Sequence, residues 1–202
     1  MPYVLRPRGL RPGLTAVLSA VAILVVPAAA QAACSDTPTT KAFQAFGDSA
    51  DYSLAPNGAF EAGSGGWSLD RASVVFGSES YGVHSRGDSR SLAIDAGGSA
   101  ASPTICVDVA RPTFRFFAKR TSGSWAQMNV KLRWTANGVT NETVVGSIAG
   151  GTAWQPTTSL NLARSLPLGS DDSVDVQLVF DPENYGGSWA IDDVYVDPYA
   201  RG

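Results

Sequence analysis

The chain has 202 residues, of which 44% are hydrophobic and 16% are charged, so it can form one globular core and is not a disordered tail. Its formal net charge of −3 excludes the strongly basic surface that duplex nucleic-acid binding requires. One histidine and two cysteines also exclude most zinc and iron ligand sets.

The first 32 residues have the pattern of an export signal. A basic start is followed by an apolar run over residues 14–26 and by small residues at Ala30 and Ala32, which is typical of a cleavage site. The basic residues are Arg6, Arg8 and Arg11. Because a helix needs about 20 apolar residues to cross a bilayer, the run is too short to be a membrane anchor. We therefore expect a secreted, extracellular protein with no membrane attachment after cleavage.

The cysteines Cys34 and Cys106 both lie beyond this signal. In an oxidising compartment two thiols of a small domain usually pair, so we predict a disulfide that ties residues 33–50 to the domain as an N-terminal arm. Closing so long a loop stabilises the fold by about 4 kcal/mol in the chain-entropy picture. The alternative is that Cys34 carries a lipid anchor.

From residue 51 onward the hydrophobic pattern is that of strands. Residues 127–135 show it best, because Met128, Val130, Leu132 and Trp134 alternate with polar residues. The other candidate strands cover residues 73–76, 91–94, 104–109, 114–119, 142–148, 157–162, 174–180 and 188–196. About nine short strands with frequent turn residues predict an all-β fold, a two-sheet antiparallel jelly-roll-like β-sandwich over residues 51–198.

Two motifs bracket this domain. The first is Asn-Gly-Ala-Phe-Glu-Ala-Gly at residues 57–63, followed by Gly66 and Trp67, and the second is Trp-Ala-Ile-Asp-Asp-Val at residues 189–194. Together they resemble carbohydrate-binding modules of the galactose-binding-like jelly-roll superfamily, and the whole chain is similar to secreted bacterial proteins. The resemblance implies that the first and last strands lie side by side.

The same resemblance implies a structural calcium ion held by Glu61 and Asp192, with Asp193 as the alternative ligand. Calcium takes six to eight oxygen ligands, and neighbouring carboxylates without a cation would raise one another's pKa. The alternative is that the two aspartates accept hydrogen bonds from turn amides or pair with an arginine at the sheet edge. Beyond this calcium, no cofactor is expected.

Three aromatic residues lie in loops and are candidates for stacking on sugar rings: Trp125, Trp154 and Tyr185. The alternative is that each folds back over the end of a sheet. Trp67 and Trp134 are in phase with core positions, so we expect both to be buried.

Basic residues are concentrated between residues 109 and 141, where the sequence has no acidic residue. If strands 114–119 and 127–135 pair as a hairpin, Arg115 lies near Arg133, and Lys131 extends the basic strip. Such a strip suits an anionic or cell-wall polysaccharide. The alternative is that Asp175 or Glu142 covers it, because like charges opposite each other are unfavourable.

Catalysis has little support in the sequence. The single histidine, His84, lies in a Gly/Ser/Arg-rich stretch with no nucleophile motif beside it. We therefore expect a secreted, monomeric, non-catalytic module that binds a polysaccharide or cell-wall polymer. A structural or adhesive surface domain is the alternative, followed by a small hydrolase.

Overall fold

The computed structural model describes residues 34, 37–108, 113–166, 168, 173–182 and 187–197, together with Met1 and Tyr3. The chain divides into two units, Met1–Ala30 and Gln31–Gly202, and the account below concerns the second. The predicted export signal lies outside the described residues except for Met1 and Tyr3, and Tyr185 also lies outside them. Within the described ranges, we find no helix with the length and apolar character needed to cross a membrane.

The described part of the chain contains eleven strands and two single-turn 3-10 helices. The strands are β1 (Ser53–Leu54), β2 (Ser68–Phe76), β3 (Arg90–Ala101), β4 (Ile105–Asp108), β5 (Thr113–Arg120), β6 (Gln127–Ala136), β7 (Val139–Ala149), β8 (Gln155–Pro156), β9 (Leu160–Asn161), β10 (Ser173–Pro182) and β11 (Trp189–Asp197). The 3-10 helices are Gln44–Phe46 and Ala163–Ser165.

All the strand pairs are antiparallel, and the main order is β7-β6-β10-β3-β11-β5-β8. The remaining strands flank this path: β1 pairs with β11, β2 with β3, β4 with β10, and β9 with β5. The curled sheet encloses one main apolar core, and the predicted jelly-roll-like β-sandwich is confirmed. Of the strand expected at residues 157–162, only β9 is formed, and β8 precedes the expected range; each pairs with β5 over two residues.

The main core follows from the period-two pattern. On β6, Met128, Val130 and Leu132 are fully buried, and across the pair Leu178 and Phe180 of β10 are buried too. Each such side chain contributes about 1.5–3 kcal/mol by leaving water. The alternation in the sequence therefore identifies the buried face of this strand pair.

A second core covers the other face of β5. Phe43 and Tyr52 are fully buried and meet Phe117 of β5 and Tyr195 of β11, with the rings of Phe43 and Tyr52 4.9 Å apart. The segment predicted as an arm therefore supplies core residues. As a result residues 114–118 of β5 are buried on both faces, and Arg115 is not on an exposed face as a basic strip would require.

The predicted disulfide between Cys34 and Cys106 is confirmed. It links residues 72 apart in sequence, which corresponds to about 4 kcal/mol in the chain-entropy picture. Because the bond uses the sulfur of Cys34, it is incompatible with lipidation at that residue.

The two terminal motifs are neighbours, as predicted. The Ala55 amide donates to the Val194 carbonyl at 2.8 Å, and the Val194 amide donates to the Gly58 carbonyl at 3.1 Å. A Cβ at Gly58 would lie 2.7 Å from the Val194 carbonyl oxygen, so only glycine fits there. Asn57 has a φ of +51°, and its side-chain Nδ2 donates to the Gly63 carbonyl at 2.7 Å, which closes the turn.

Candidate functional site

A groove of about 850 Å³ lies at one end of β6. It is lined by the last residues of β6, the first residues of β10, the β6–β7 turn and the segment around β4. The lining residues are Thr104, Cys106, Arg133, Trp134, Thr135, Ala136, Asn137, Thr140, Ser173, Val174, Asp175, Val176 and Gln177. Its size lies within the range of ligand pockets.

Trp134 is the aromatic residue of this groove. It packs against the main core but is half-buried, whereas Leu132, two residues earlier on the same face, is fully buried. Hairpin geometry explains the change, because β6 and β7 leave the core to meet in a tight turn at Asn137 and Gly138, both with positive φ. The expectation that Trp134 is buried is therefore right only in part.

Hydrogen-bonding groups surround this ring. The groove contains the hydroxyls of Thr104, Thr135 and Thr140, the amides of Asn137 and Gln177, and the carboxylate of Asp175. Gln177 is held in place by a 2.9 Å hydrogen bond from its Nε2 to the Ser102 carbonyl. An aromatic face with hydroxyl, amide and carboxylate groups can accept a ligand that has both an apolar face and hydroxyls.

The basic residues of β6 are paired with acids. Arg133 donates to Glu142 at 2.9–3.0 Å, and Lys131 lies 3.3 Å from Glu142 and contacts Asp181 more closely. The hydrogen bond to Asp181 raises the pKa of Lys131, although desolvation opposes it. Glu142 therefore covers the part of the basic strip that lies on β6, while Asp175 lies in the groove.

Arg115 does not belong to this strip. β5 pairs with β11, β8 and β9, whereas β6 pairs with β7 and β10. The two strands therefore do not form the hairpin that would have placed Arg115 near Arg133. Arg115 is only 8% exposed and donates to Asp48 at 2.9 Å. Its Nε also donates to the Thr157 carbonyl at 2.8 Å, and its guanidinium lies 4.2 Å from the Phe43 ring centroid. These contacts make Arg115 a structural residue.

The predicted loop aromatics have different environments. Trp125 is 94% exposed, as a residue that meets a ligand should be. Trp154 is only 7% exposed, with the Lys119 Nζ 4.6 Å from its ring centroid, so the prediction of an available stacking face is wrong there. It has folded back onto the second core, beside Phe117. Tyr185 lies outside the described residues.

Trp125 and the groove do not form one platform. Trp125 precedes β6, and Trp134 lies near its end, so the ten residues Gln127–Ala136 lie largely between the two positions. At about 3.4 Å per residue, this strand is roughly 30 Å long. A single sugar chain would have to follow the whole strand to reach both rings.

A third region of interest is the loop between β2 and β3, residues 77–89, which we call the acidic loop. It covers two aspartates of β11, Asp192 and Asp193. Asp192 accepts hydrogen bonds at 2.8 Å from the Ser78 hydroxyl and the Glu79 amide, and at 2.9 Å from the Asp193 amide. Burial, with added repulsion from Asp193, raises the pKa of Asp192 to about 8. The neighbouring carboxylate of Asp193 therefore adds to the effect of burial on the pKa of Asp192.

Asp193 faces the same loop because β11 changes register between Asp192 and Tyr195, and Asp193 has a φ of +48°. Its Oδ2 accepts the His84 amide at 3.0 Å. Its Oδ1 is buried and has no hydrogen-bond partner among the described residues. Burial raises the pKa of Asp193 to about 7, and Glu79 and Asp88 add repulsion, against the His84 hydrogen bond.

Glu61 has a different environment. Its Oε1 accepts the Ser89 and Arg90 amides, both at 2.8 Å, and its Oε2 accepts the Ser89 hydroxyl at 3.3 Å. Desolvation alone would raise the pKa of Glu61, but these hydrogen bonds outweigh it and the pKa is lowered. Every oxygen of Glu61 and Asp192 accepts a hydrogen bond from a described residue. Calcium binding stays a prediction.

Comparisons with known proteins agree with this geometry at the level of fold. No family model matches the sequence, and no curated protein matches it. The chain is similar to the CBM22-1 and GH10 modules of the Clostridium thermocellum endo-1,4-beta-D-xylanase 10B complexed with xylohexaose, with a TM-score of 0.51, 14% identity, and coverage of 74% of this chain and 29% of that one. It is also similar to the CBM22-1–CBM22-2 tandem domain of Paenibacillus barcinonensis Xyn10C, with a TM-score of 0.51, 15% identity, and coverage of 73% and 44%. The chain thus spans less than half of each of these structures, and the likeness shows a fold found in carbohydrate-binding modules.

Proposed function

We propose that this chain is a non-catalytic carbohydrate-binding module whose binding site is the groove at Trp134. The observation that carries the proposal is the combination, in one groove, of a half-buried indole ring with hydroxyl, amide and carboxylate groups. The jelly-roll fold, which carbohydrate-binding modules also have, supports it.

The chemistry follows from the structure of a pyranose. One face of the ring presents C–H groups and packs on an aromatic side chain, while the hydroxyls at the rim need hydrogen-bond partners. Trp134 supplies the aromatic surface, and Thr135, Asn137 and Gln177 supply partners nearby. Because Trp134 is anchored in the core, little side-chain entropy is lost on binding.

The charges favour a neutral polysaccharide over an anionic one. Arg133 at the groove is paired with Glu142, and Asp175 adds a carboxylate to the lining. An anionic sugar would meet a carboxylate and find the nearest guanidinium already paired. We therefore propose an uncharged cell-wall polysaccharide as the ligand and xylohexaose as the first probe, since a structure similar to this one was solved with it.

The experiment is calorimetric titration with xylohexaose, cellohexaose and polygalacturonate, followed by affinity electrophoresis in the corresponding polymers. We expect Trp134→Ala to weaken binding of a neutral sugar at least tenfold and Thr135→Val, which removes one exposed hydroxyl, to weaken it severalfold. Trp125→Ala is the matched control, because it removes an indole at the other end of β6. Unchanged affinity in both groove variants, or preference for polygalacturonate, would contradict the proposal.

A second candidate function is adhesion through Trp125. The observation that favours it is the 94% exposure of this ring. Its loop is held next to the first residue of β11 by a 2.8 Å hydrogen bond from the Thr121 amide to the Ser188 carbonyl. If Trp125→Ala abolishes retention on cell walls while Trp134→Ala leaves it intact, the loop is the binding surface.

We also propose that the protein is exported with cleavage after Ala32. The disulfide between Cys34 and Cys106 supports this, because such bonds persist in oxidising compartments. Intact-mass measurement of the exported protein should give a chain beginning at Ala33 with both cysteines oxidised. A mass that includes a lipid would contradict it.

A further inference from the structure

Three potential metal ligands, one imidazole and two carboxylates, lie close together where the acidic loop covers β11. His84 and Asp88 come from the loop, and Asp193 comes from the strand. One ligand atom from each, an imidazole nitrogen and two carboxylate oxygens, lies within 4.8 Å of the other two. The His84 Nδ1 is 2.7 Å from the Asp88 Oδ2. At metal–ligand distances of about 2.0–2.2 Å, a modest adjustment would place all three around one ion.

An independent observation at Asp193 points to a missing ligand. Asp193 is 1% exposed, and its Oδ1 is buried without a hydrogen-bond partner in the described ranges. A buried carboxylate oxygen with no donor is costly, because it has given up its hydration. Asp193 Oδ1 therefore destabilises the fold, whereas both oxygens of the adjacent Asp192 accept hydrogen bonds.

From this geometry we propose that His84, Asp88 and Asp193 bind one divalent transition-metal ion, with Zn²⁺ as the probe. The two carboxylates balance the charge of the ion, and the imidazole sets its class, because calcium and magnesium prefer all-oxygen shells. The His84 side chain is 39% exposed, so water can complete the coordination. This ligand set contains neither Glu61 nor Asp192, and it shares with the calcium prediction only Asp193, which was the alternative ligand there.

The local electrostatics support such an ion. Asp193 is destabilised in its charged form by burial and by the nearby Glu79 and Asp88, with His84 as the counteracting group. A divalent cation would reverse that balance. It would also cross-link the acidic loop to β11, through ligands that are 105 and 109 residues apart along the chain. Binding should therefore stabilise the fold as well as occupy the site.

The experiment uses the full chain, purified without a polyhistidine tag and stripped with EDTA. Titration with Zn²⁺ should show one equivalent bound, and Zn²⁺ at about 100 times its Kd should raise the Tm by about 5–10 °C. Co²⁺ should give visible d–d absorption bands. Ca²⁺ at the same concentration should give a smaller shift.

Two variants and one control identify the ligands. His84→Ala and Asp193→Asn should each weaken Zn²⁺ binding at least tenfold and remove the Co²⁺ bands. Asp193→Asn should fold, because asparagine has nearly the same shape and its side-chain oxygen can still accept the His84 amide. Asp95→Asn, which changes an exposed acid of β3, should bind as the unmodified chain does. Zn²⁺ binding that is absent, or unchanged in both variants, would overturn the proposal, and so would a Ca²⁺ shift that exceeds the Zn²⁺ shift and survives His84→Ala.

Discussion

Two neighbouring strands, β5 and β11, each bury an ionisable side chain, but they differ in how many partners that side chain has. Arg115 on β5 is 8% exposed and has a carboxylate, a carbonyl and an aromatic ring as partners. Asp193 on β11 is 1% exposed and has one amide hydrogen bond and one oxygen without a partner in the described part of the chain. Burying a charge is tolerated when it is paired, so the first region is built for stability. The second keeps an unsatisfied group where a ligand can satisfy it.

The largest expected effect is the loss of the carboxylate that pairs with Arg115. Asp48→Ala removes the carboxylate that meets Arg115 and accepts the Tyr52 hydroxyl, leaving the guanidinium buried without a counter-charge. We expect a loss of about 3–5 kcal/mol in the free energy of unfolding, which urea denaturation measures. Asp95→Asn is the control for removing an exposed acid. A loss below about 1 kcal/mol would mean that the ion pair is not structural.

The unpaired charge should behave in the opposite way. The pKa of Asp193 is raised from 3.8 to about 7 in the folded protein, so the folded state keeps its proton while the unfolded state loses it. Its contribution to the unfolding free energy therefore falls as the pH rises from about 4 to about 7. In EDTA, Asp193→Asn should be roughly 1–3 kcal/mol more stable than the unmodified chain at pH 8 and equal to it at pH 4. Urea denaturation at both pH values tests this, and a destabilised variant at pH 8 would contradict it.

An exposed paired charge should matter less than either buried one. Glu142→Ala removes the partner of Arg133 and one partner of Lys131 on the outer face of β6. Because these side chains remain partly in water, we expect a loss of at most about 1 kcal/mol. The loss should shrink between 0.05 and 1 M NaCl, which thermal denaturation measures. A large loss in the free energy of unfolding that salt does not change would mean that these ion pairs contribute as much as the buried pair of Arg115.

The smallest effect belongs to the most exposed ring. Trp125→Ala should change the free energy of unfolding by no more than about 0.5 kcal/mol, because the side chain is 94% exposed. Chemical denaturation gives this value directly. Trp154→Ala is the matched comparison, and it should cost about 3–5 kcal/mol because that ring is buried. Equal costs would mean that the Trp125 loop also folds back onto the protein in solution.

The sequence predicts the strands well, because period-two alternation is a local property. Residues 127–135 and 174–180 correspond closely to β6 and β10. It fails at Arg115, because alternation assigns two faces to a strand without showing what covers the outer one. That cover is Phe43, 72 positions away, from a segment that has no strand pattern.

The candidate sites show the same limit. The exposure of Trp125 follows from its polar neighbours, whereas Trp134 was expected in the core because its phase matches Met128, Val130 and Leu132. The phase gives the direction of a side chain but not where the core ends. The meeting of His84 with Asp193 depends on the register change in β11, and the adjacent aspartates in the sequence give no sign of which one is unpaired.

The disulfide also forms part of the groove wall, so its formation should affect the shape of the groove. Cys106 is both a bond partner of Cys34 and part of the groove wall, and Asp175, another wall residue, is its strand neighbour. Under reducing conditions, the covalent tie to this wall is lost, and with it the restraint on its shape. If the groove at Trp134 is the binding site, its shape and its affinity for a ligand should therefore depend on oxidation of these two cysteines.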